Sequence, residues 1–296
     1  MIHEKAIIDK EVILGEGAEI GPYSVIEKGV QLGKGVKISP FVHLKSNTFI
    51  GDNTFIGTGA VIGEMPQMSG QRENLGKIHI GKNNIIREYV TINSSSSPEK
   101  STSMGDGNFL MAFSHIAHDC KLGNNIVICN GTMLAGHVEI QDKAFISADV
   151  GVQQFIRIGA LTMIGGLSRV TQDVPPFMMV VGGSRVRGLN LVGMKRHSFT
   201  KDDIKAIKKA YSFLYRQDLS IKTALSKLET IDSEKVKKII VFIIASKKGI
   251  CSAHKSNLIE KIFLDYPYLL RTRVSGYHLY LKTKKDIYAK RMKIRD

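Results

Sequence analysis

Only three cysteines occur in 296 residues, Cys120, Cys129 and Cys251, and their spacing fits neither a disulfide framework nor a pair of metal ligands. Redox chemistry and thiolate-metal chemistry are therefore not expected, and Cys120 reads as a small packed side chain. Long apolar runs are also missing. The longest, IIVFIIA at 239–245, is far short of the roughly 20 residues that span a bilayer. The opening MIHEKAIIDK has no apolar leader segment, so a cytoplasmic location is expected. Acidic residues are in deficit: 42 Lys plus Arg face 27 Asp plus Glu, a net charge of +15.

That charge is unevenly placed. From 252 to 296 eleven basic residues face four acidic ones, and aromatics are mixed among them, as in YHLYLKTKKDIYAKRMKIR at 277–295. No nucleic-acid-binding signature accompanies the charge, so nucleic acid is not an expected partner. Anionic headgroups, nucleotide phosphates or an acidic carrier protein fit it better. A peripheral membrane-surface contact through this tail is one expectation, and a solvated basic face is the alternative.

What the chain has in abundance is a beat of six. Branched aliphatics recur from Ile8 through Ile62 (Leu14, Ile20, Ile26, Leu32, Ile38, Leu44, Ile50, Ile56), at Ile80, Ile86 and Ile92, and again from Met104 to Val170, giving 25 repeats. Four residues after many of them stands a small or β-branched side chain, such as Ala18, Ser24, Thr54, Ala60, Ser114, Thr132 or Thr162. Helices need apolar spacings of three and four and coiled coils need seven, so a strict six fits a short strand followed by a tight turn. Such repeats cannot bury their apolar faces alone and must stack as a solenoid. The pattern resembles the left-handed parallel β-helix of hexapeptide-repeat acyltransferases, with three hexads to a triangular coil; the handedness is what that resemblance implies.

Two polar insertions, 64–79 and 93–103, interrupt the beat and read as loops projecting from coils. The beat fades after Val170, and the paired prolines Pro175 and Pro176 mark the exit. Thr200 followed by Asp203 reads as a helix N-cap, ahead of a helical spacing at Ile204, Ile207, Tyr211 and Leu214, with further helices at about 220–229 and 233–247. The expected organisation is an all-β parallel β-helix over 1–190, a smaller α-helical C-terminal domain over 191–251 and a basic extension over 252–296.

In a coil of 18 residues, positions 18 apart stack one strand spacing, roughly 4.8 Å, above one another. His118, Gly136 and Gln154 therefore share one column and Asp119 and His137 the next, with His115 three residues before His118. Histidine is suited to taking a proton from a hydroxyl near neutral pH, a carboxylate beside it can hold the imidazole tautomer, and a glycine amide can meet a developing oxyanion. On spacing alone, three histidines on a solenoid surface are more often structural or incidental than catalytic.

The segments HIAHDC at 115–120, LAGH at 134–137, QDVPPF at 172–177 and GLNLVGMKR at 188–196 together resemble the acyl-ACP:UDP-N-acetylglucosamine O-acyltransferase family, which begins lipid A synthesis. The resemblance covers about residues 1–251. It implies transfer of a (3-hydroxy)acyl chain from acyl carrier protein to the sugar 3-position, with His118 as general base, Asp119 as its orienting partner and Gly136 as oxyanion donor. It further implies substrate-binding roles for His115, His137, Gln153, Gln154, Asn190, Arg196 and His197, and a position limiting acyl-chain length at Gly166. No cofactor and no metal are expected, the partners are acyl carrier protein and a UDP-sugar, and a homotrimer with sites between neighbouring solenoids is implied.

The chain also departs from the family. PQMSGQ at 66–71 stands where PQDLKY is usual, so Met68 and Gly70 replace an acid and a lysine, with Arg72 nearby as a substitute charge. Gln153 stands in place of a histidine, Val192 in place of a glutamate and His197 in place of a second arginine. A paralogue acting on another nucleotide-linked amino sugar, a zinc enzyme of the carbonic-anhydrase type and a non-catalytic scaffold solenoid are the remaining readings.

Overall fold

The computed structural model describes residues 1–70 and 74–253. Twenty-five short strands run from β1 (Ile7–Ile8) to β25 (Arg169–Val170), one for each hexad of the sequence. From β1 to β22 each pairs in parallel with the strand three places on, for example Ile7 with Val25 and His115 with Met133, 18 residues apart in both cases. Three parallel sheets result, of nine, eight and eleven strands, and they form the faces of a left-handed parallel β-helix. Two coils are wider: Val61 pairs with Thr91 and Thr91 with His115, with a shift in pairing between Ile62 and Glu64 where the first insertion begins.

The beat works because each strand has one inward residue. In β12 (Ile85–Ile86), Ile85 is 45% exposed and Ile86 is fully buried. The small residue four places on, such as Thr54, Ala60 or Thr132, is also fully buried. At Thr132 the hydroxyl caps the coil: Oγ1 donates to the Ser147 carbonyl at 2.7 Å and accepts from the Val150 amide at 3.2 Å. At the corners the chain turns through left-handed backbone. Tyr23, Phe41, Asn53, Asn83, Tyr89, Phe113, Asp119, Asn125, His137 and Phe155 all have φ between 55° and 68°, a conformation that costs about 1–2 kcal/mol in a non-glycine residue. Stacking between coils offsets that cost: the rings of Tyr23 and Phe41, and of Tyr89 and Phe113, lie 5.2 Å apart and nearly parallel.

Most described residues of the first insertion are exposed, as expected of a projecting loop, whereas the second is anchored at its start. Asn93, Ser94 and Ser95 are buried, and the loops pack on each other: Asn93 Nδ2 donates to the Met65 carbonyl (3.1 Å), Ser94 Oγ to the Gly63 carbonyl (2.9 Å) and the Gly76 amide to the Ser95 carbonyl (3.0 Å). A Cβ on Gly76 would stand 2.2 Å from the Ser97 carbonyl oxygen, so only glycine permits this approach. Serine-rich insertions carry enough hydroxyls to satisfy one another's backbone, which a composition reading as surface loop misses.

The sheet also continues past the paired prolines. β26 (Met178–Val181) adds to the eleven-stranded sheet in parallel, β27 (Arg185–Leu189) folds back antiparallel, and β28 (Ser252–Ala253) returns to pair with β27, where an extension was expected to begin. Between them lie α1 (Leu191–Arg196), α2 (Lys201–Tyr215), α3 (Ile221–Glu229) and α4 (Glu234–Ile244). The expected N-cap is present as a reciprocal pair, Thr200 Oγ1 accepting from the Asp203 amide (3.0 Å) and Asp203 Oδ2 from the Thr200 amide (3.1 Å). The helices are tied to the solenoid by buried Asp173, which accepts from the Arg157 amide (2.9 Å) and from Ser246 Oγ (2.7 Å), and by the Arg157 guanidinium stacked 4.5 Å from the Phe242 ring centroid. No helix of the described residues is long and apolar enough to cross a membrane.

The alternation in β12 gives a direct test. Ile86→Ala removes a buried side chain and is expected to cost about 2–5 kcal/mol, whereas Ile85→Ala changes stability by no more than about 0.5 kcal/mol. Equal effects of the two in chemical denaturation would contradict the inward–outward assignment.

Candidate active site

A cleft of about 780 Å³ opens beside the coil corner that carries His118, between the outer face of the nine-stranded sheet and the first insertion. Its wall includes His115, His118, Gly136, Gln153 and Gln154, together with Gln67, Met68 and Ser69 from the insertion and Arg169 at one end. The column inferred from 18-residue stacking is present: the His137 amide donates to the His118 carbonyl (3.0 Å) and the Phe155 amide to the Gly136 carbonyl (3.1 Å).

The chemistry centres on Asp119. Its Oδ2 pairs with His118 Nδ1 at 2.7 Å and accepts from Ser96 Oγ at 2.7 Å, and its Oδ1 accepts from Ser95 Oγ. The Asp119 amide donates to Thr102 Oγ1 (2.8 Å), fixing the left-handed corner on which the carboxylate sits. Burial alone would push this carboxyl up, but the hydrogen bonds from Ser95, Ser96 and His118 outweigh it and hold the group at about 2. With Nδ1 committed to the carboxylate, His118 is left with Nε2 for the cleft.

Gly136 stacks against that ring. A Cβ there would stand 2.5 Å from both Cε1 and Nε2 of His118, so any side chain would displace the imidazole. The Gly136 N–H has no hydrogen-bond partner among the described residues, because the coil corner turns it away from the ladder. A glycine amide and an imidazole nitrogen thus sit side by side without competition from a Cβ.

The neighbouring histidines are both less basic than an ordinary imidazole. Burial lowers His115, whose Nδ1 lies 2.7 Å from Thr91 Oγ1. Burial also lowers His137, against a weaker opposing pull from Asp119, whose Oδ2 is 3.5 Å from His137 Nε2. The ring of Phe155 lies 4.7 Å from that of His137 and nearly parallel to it.

The ligand atoms of His118, Asp119 and His137 lie within 4.8 Å of one another, close enough to hold a cation. The carboxylate's two oxygens already take three side-chain donors, however, which is the environment of a hydrogen-bonded orienting group rather than of a free ligand. Cys120 is no rival nucleophile: it is buried, its Sγ donates to the Ala135 carbonyl (3.2 Å), and burial pushes its thiol up to about 12.

Sequence reasoning missed several of these groups. Phe155 lies 18 residues after His137 and is reachable by the same subtraction that linked His137 to Asp119. Ser95 and Ser96 are not, since the register shift at the insertions breaks that arithmetic; a run of four serines beside a polar insertion was the only signal. Arg169, on the sheet face that carries His115, Met133 and Gly151, had no motif to mark it.

Other expected site residues are not brought to this cleft within one chain. Gly166 lies at another corner, where a Cβ would meet the Ala148 carbonyl oxygen at 3.3 Å. Asn190 is the N-cap of α1, its Oδ1 accepting from the Gly193 amide (2.9 Å) and its Nδ2 donating to the Leu161 carbonyl (2.9 Å). Arg196 ends the same helix and His197 caps it, both exposed. Val192 is exposed on α1. Met68 lines the cleft, and Gly70 follows at φ 92°. Arg72 lies outside the described residues.

Residues 173–251 match the family model described as UDP N-acetylglucosamine O-acyltransferase, domain 2, and residues 29–64 and 101–136 match that for bacterial transferase hexapeptide repeats. Proteins from Thermodesulfovibrio yellowstonii and Campylobacter concisus, both named acyl-(acyl-carrier-protein)–UDP-N-acetylglucosamine O-acyltransferase, are 44% and 38% identical over 85% and 84% of this chain and 96% of their own lengths. The crystal structure of the Francisella novicida UDP-N-acetylglucosamine acyltransferase aligns with a TM-score of 0.83 at 35% identity, covering 88% of this chain and 96% of that one.

The hydrogen bonds to Asp119 set a pH dependence. A carboxyl held at about 2 in the fold and at its ordinary 3.8 when unfolded contributes roughly 2 kcal/mol above pH 4, lost as pH falls toward 2. Replacing Ser95 and Ser96 by alanine raises the folded value toward the ordinary one, so the acid-unfolding midpoint is expected to move to higher pH; an unmoved acid limb would refute the assignment.

Proposed function

Because the chain belongs to the UDP-N-acetylglucosamine O-acyltransferase family, we propose that it transfers a (3-hydroxy)acyl chain from acyl carrier protein to the 3-hydroxyl of UDP-N-acetylglucosamine, the first step of lipid A synthesis. The observation that carries the reading is the relay of Asp119, His118 and the free Gly136 amide at the wall of one cleft. His118 Nε2 removes the proton from the sugar hydroxyl as its oxygen attacks the thioester carbonyl carbon. The negative charge moves to the carbonyl oxygen, where the Gly136 N–H meets it. When the carbon–sulfur bond breaks, the proton on His118 passes to the departing thiolate, and ester and free thiol leave. Asp119 holds the imidazole tautomer throughout and stabilises its cationic form.

No cofactor takes part in this scheme, and the chain acts in the cytoplasm. His115, His137, Gln153 and Gln154 contact the acceptor and acyl group from the chain that supplies the base. Gly166, Asn190, Arg196 and His197, which lie away from that cleft, are assigned to substrate bound against a neighbouring copy in a homotrimer. The relatives above are named for UDP-N-acetylglucosamine, which favours that acceptor over another amino sugar despite Met68, Gly70 and Gln153. The solenoid over 1–190 serves as the catalytic domain and the helices over 191–251 as a second domain.

His118→Ala is expected to lower acyl transfer by about 10²–10⁴-fold with the circular dichroism spectrum intact. Full activity in an acyl-carrier-protein thioester assay would remove the general-base role. Gly136→Ala, which drives a methyl group into the His118 ring, is expected to lower kcat more than it raises KM.

A further inference from the structure

Formal charge divides sharply along the chain. Residues 1–190 carry 17 Lys plus Arg and 17 Asp plus Glu, whereas 191–253 carry 14 against 6 and 254–296 carry 11 against 4. The solenoid is neutral, and the whole excess lies C-terminal to it. On α4 this charge frames an apolar stripe. Val236, Ile239, Phe242 and Ile243 are buried against the rest of the chain, yet Val241 and Ile244, one turn apart, are 67% and 66% exposed. Lys237 and Lys238 stand one turn before them, and Lys247 and Lys248 come just beyond the helix end; all four are exposed. A helix that has already buried one apolar face does not need a second for its fold.

Lys248, four residues after Ile244, reaches the corner of the candidate active site. Lys248 Nζ lies 5.5 Å from the Phe155 ring centroid, and Phe155 stacks on His137 at the catalytic corner. We propose that the Val241–Ile244 stripe docks the protein on an anionic phospholipid surface, the two aliphatic tips entering the headgroup layer while the flanking lysines meet lipid phosphates. Exposed aliphatics bracketed by lysines on both sides are the pattern of an interfacial helix. An acidic protein partner would be served by the lysines without the aliphatic tips. One further reason rests on the proposed reaction: its product carries an acyl chain and favours release beside a bilayer.

The test is flotation of the full-length chain, without substrates, with vesicles of phosphatidylcholine alone and of phosphatidylcholine with phosphatidylglycerol. Binding to the anionic vesicles that weakens with added salt, and a loss of about tenfold in the double variant Val241→Ser, Ile244→Ser, is the expected result. Both positions are exposed, so circular dichroism and acyl transfer between soluble substrates remain those of the parent chain. Equal binding to both vesicle types, an unchanged partition of the double variant, or no vesicle binding alongside a weakened interaction with acyl carrier protein would each overturn the proposal. Failure of the catalytic reading would instead appear as absent acyl transfer by the parent chain with vesicle binding retained.

Discussion

The parallel hydrogen-bond ladder between successive coils is the constraint on which everything else in this molecule rests. Because a strand pairs with the strand one coil later, residue identity matters modulo 18, and a side chain's surroundings are set by the residues 18 before and 18 after it. A buried aliphatic at one strand position and a small residue at the corner satisfy the core in every coil, which leaves the outward positions free of structural duty. Function can therefore be written at one corner without disturbing the ladder. The pairing also explains why the insertions cost so little: Val61 still meets Thr91 and Thr91 still meets His115, so the strands on either side of each insertion stay paired despite the bulge after Ile62.

Fold and site were legible to different depths for that reason. Twenty-five hexads became twenty-five strands because the six-residue beat is a local property with one solution. The column of His118, Gly136 and Gln154 was legible because it needs only the beat and a subtraction. What escaped was whatever crosses between coils at irregular offsets. Ser95 and Ser96 reach Asp119 from 24 and 23 residues away, across an insertion whose length nothing in the hexad pattern constrains. Likewise β26 to β28 lack the beat, since an antiparallel hairpin closing the solenoid's end no longer has to repeat every six residues. The helices were readable through their own period, and α2 through its capping box, but α1 is a single six-residue turn-and-a-half whose apolar content is too short to announce itself.

The insertions change what kind of site this is. A histidine beside an aspartate at an open corner would share water with it, and the carboxylate would sit near its ordinary value. Buried Ser95 and half-buried Ser96 of the second insertion replace that water with fixed donors, so Asp119 stays ionised while only 5% exposed. An ionised, immobile carboxylate is what keeps a proton on Nδ1 and Nε2 available as a base. The relay therefore belongs to three parts of the chain at once: the corner that carries His118 and Asp119, the glycine one coil on that leaves the ring room, and the serine loop that dries the carboxylate.

The three corners of the prism share one backbone geometry and differ in chemistry. One carries stacked aromatics (Tyr23, Phe41, Tyr89, Phe113), one carries asparagines (Asn53, Asn83, Asn125), and one carries Asp119, His137 and Phe155, all with φ near 60°. Asparagine tolerates left-handed backbone through local hydrogen bonding, whereas aromatics and histidine do so only with help from a neighbour. At the third corner that help is functional: His137 is clasped between Asp119 and the Phe155 ring, and Lys248 covers the exposed ring from the helical side. The left-handed turn that a regular solenoid requires anyway thus points His137 and the carboxylate at the same imidazole. The groups proposed to be catalytic accumulate at this corner because the interactions that offset its backbone strain are the ones that orient His118.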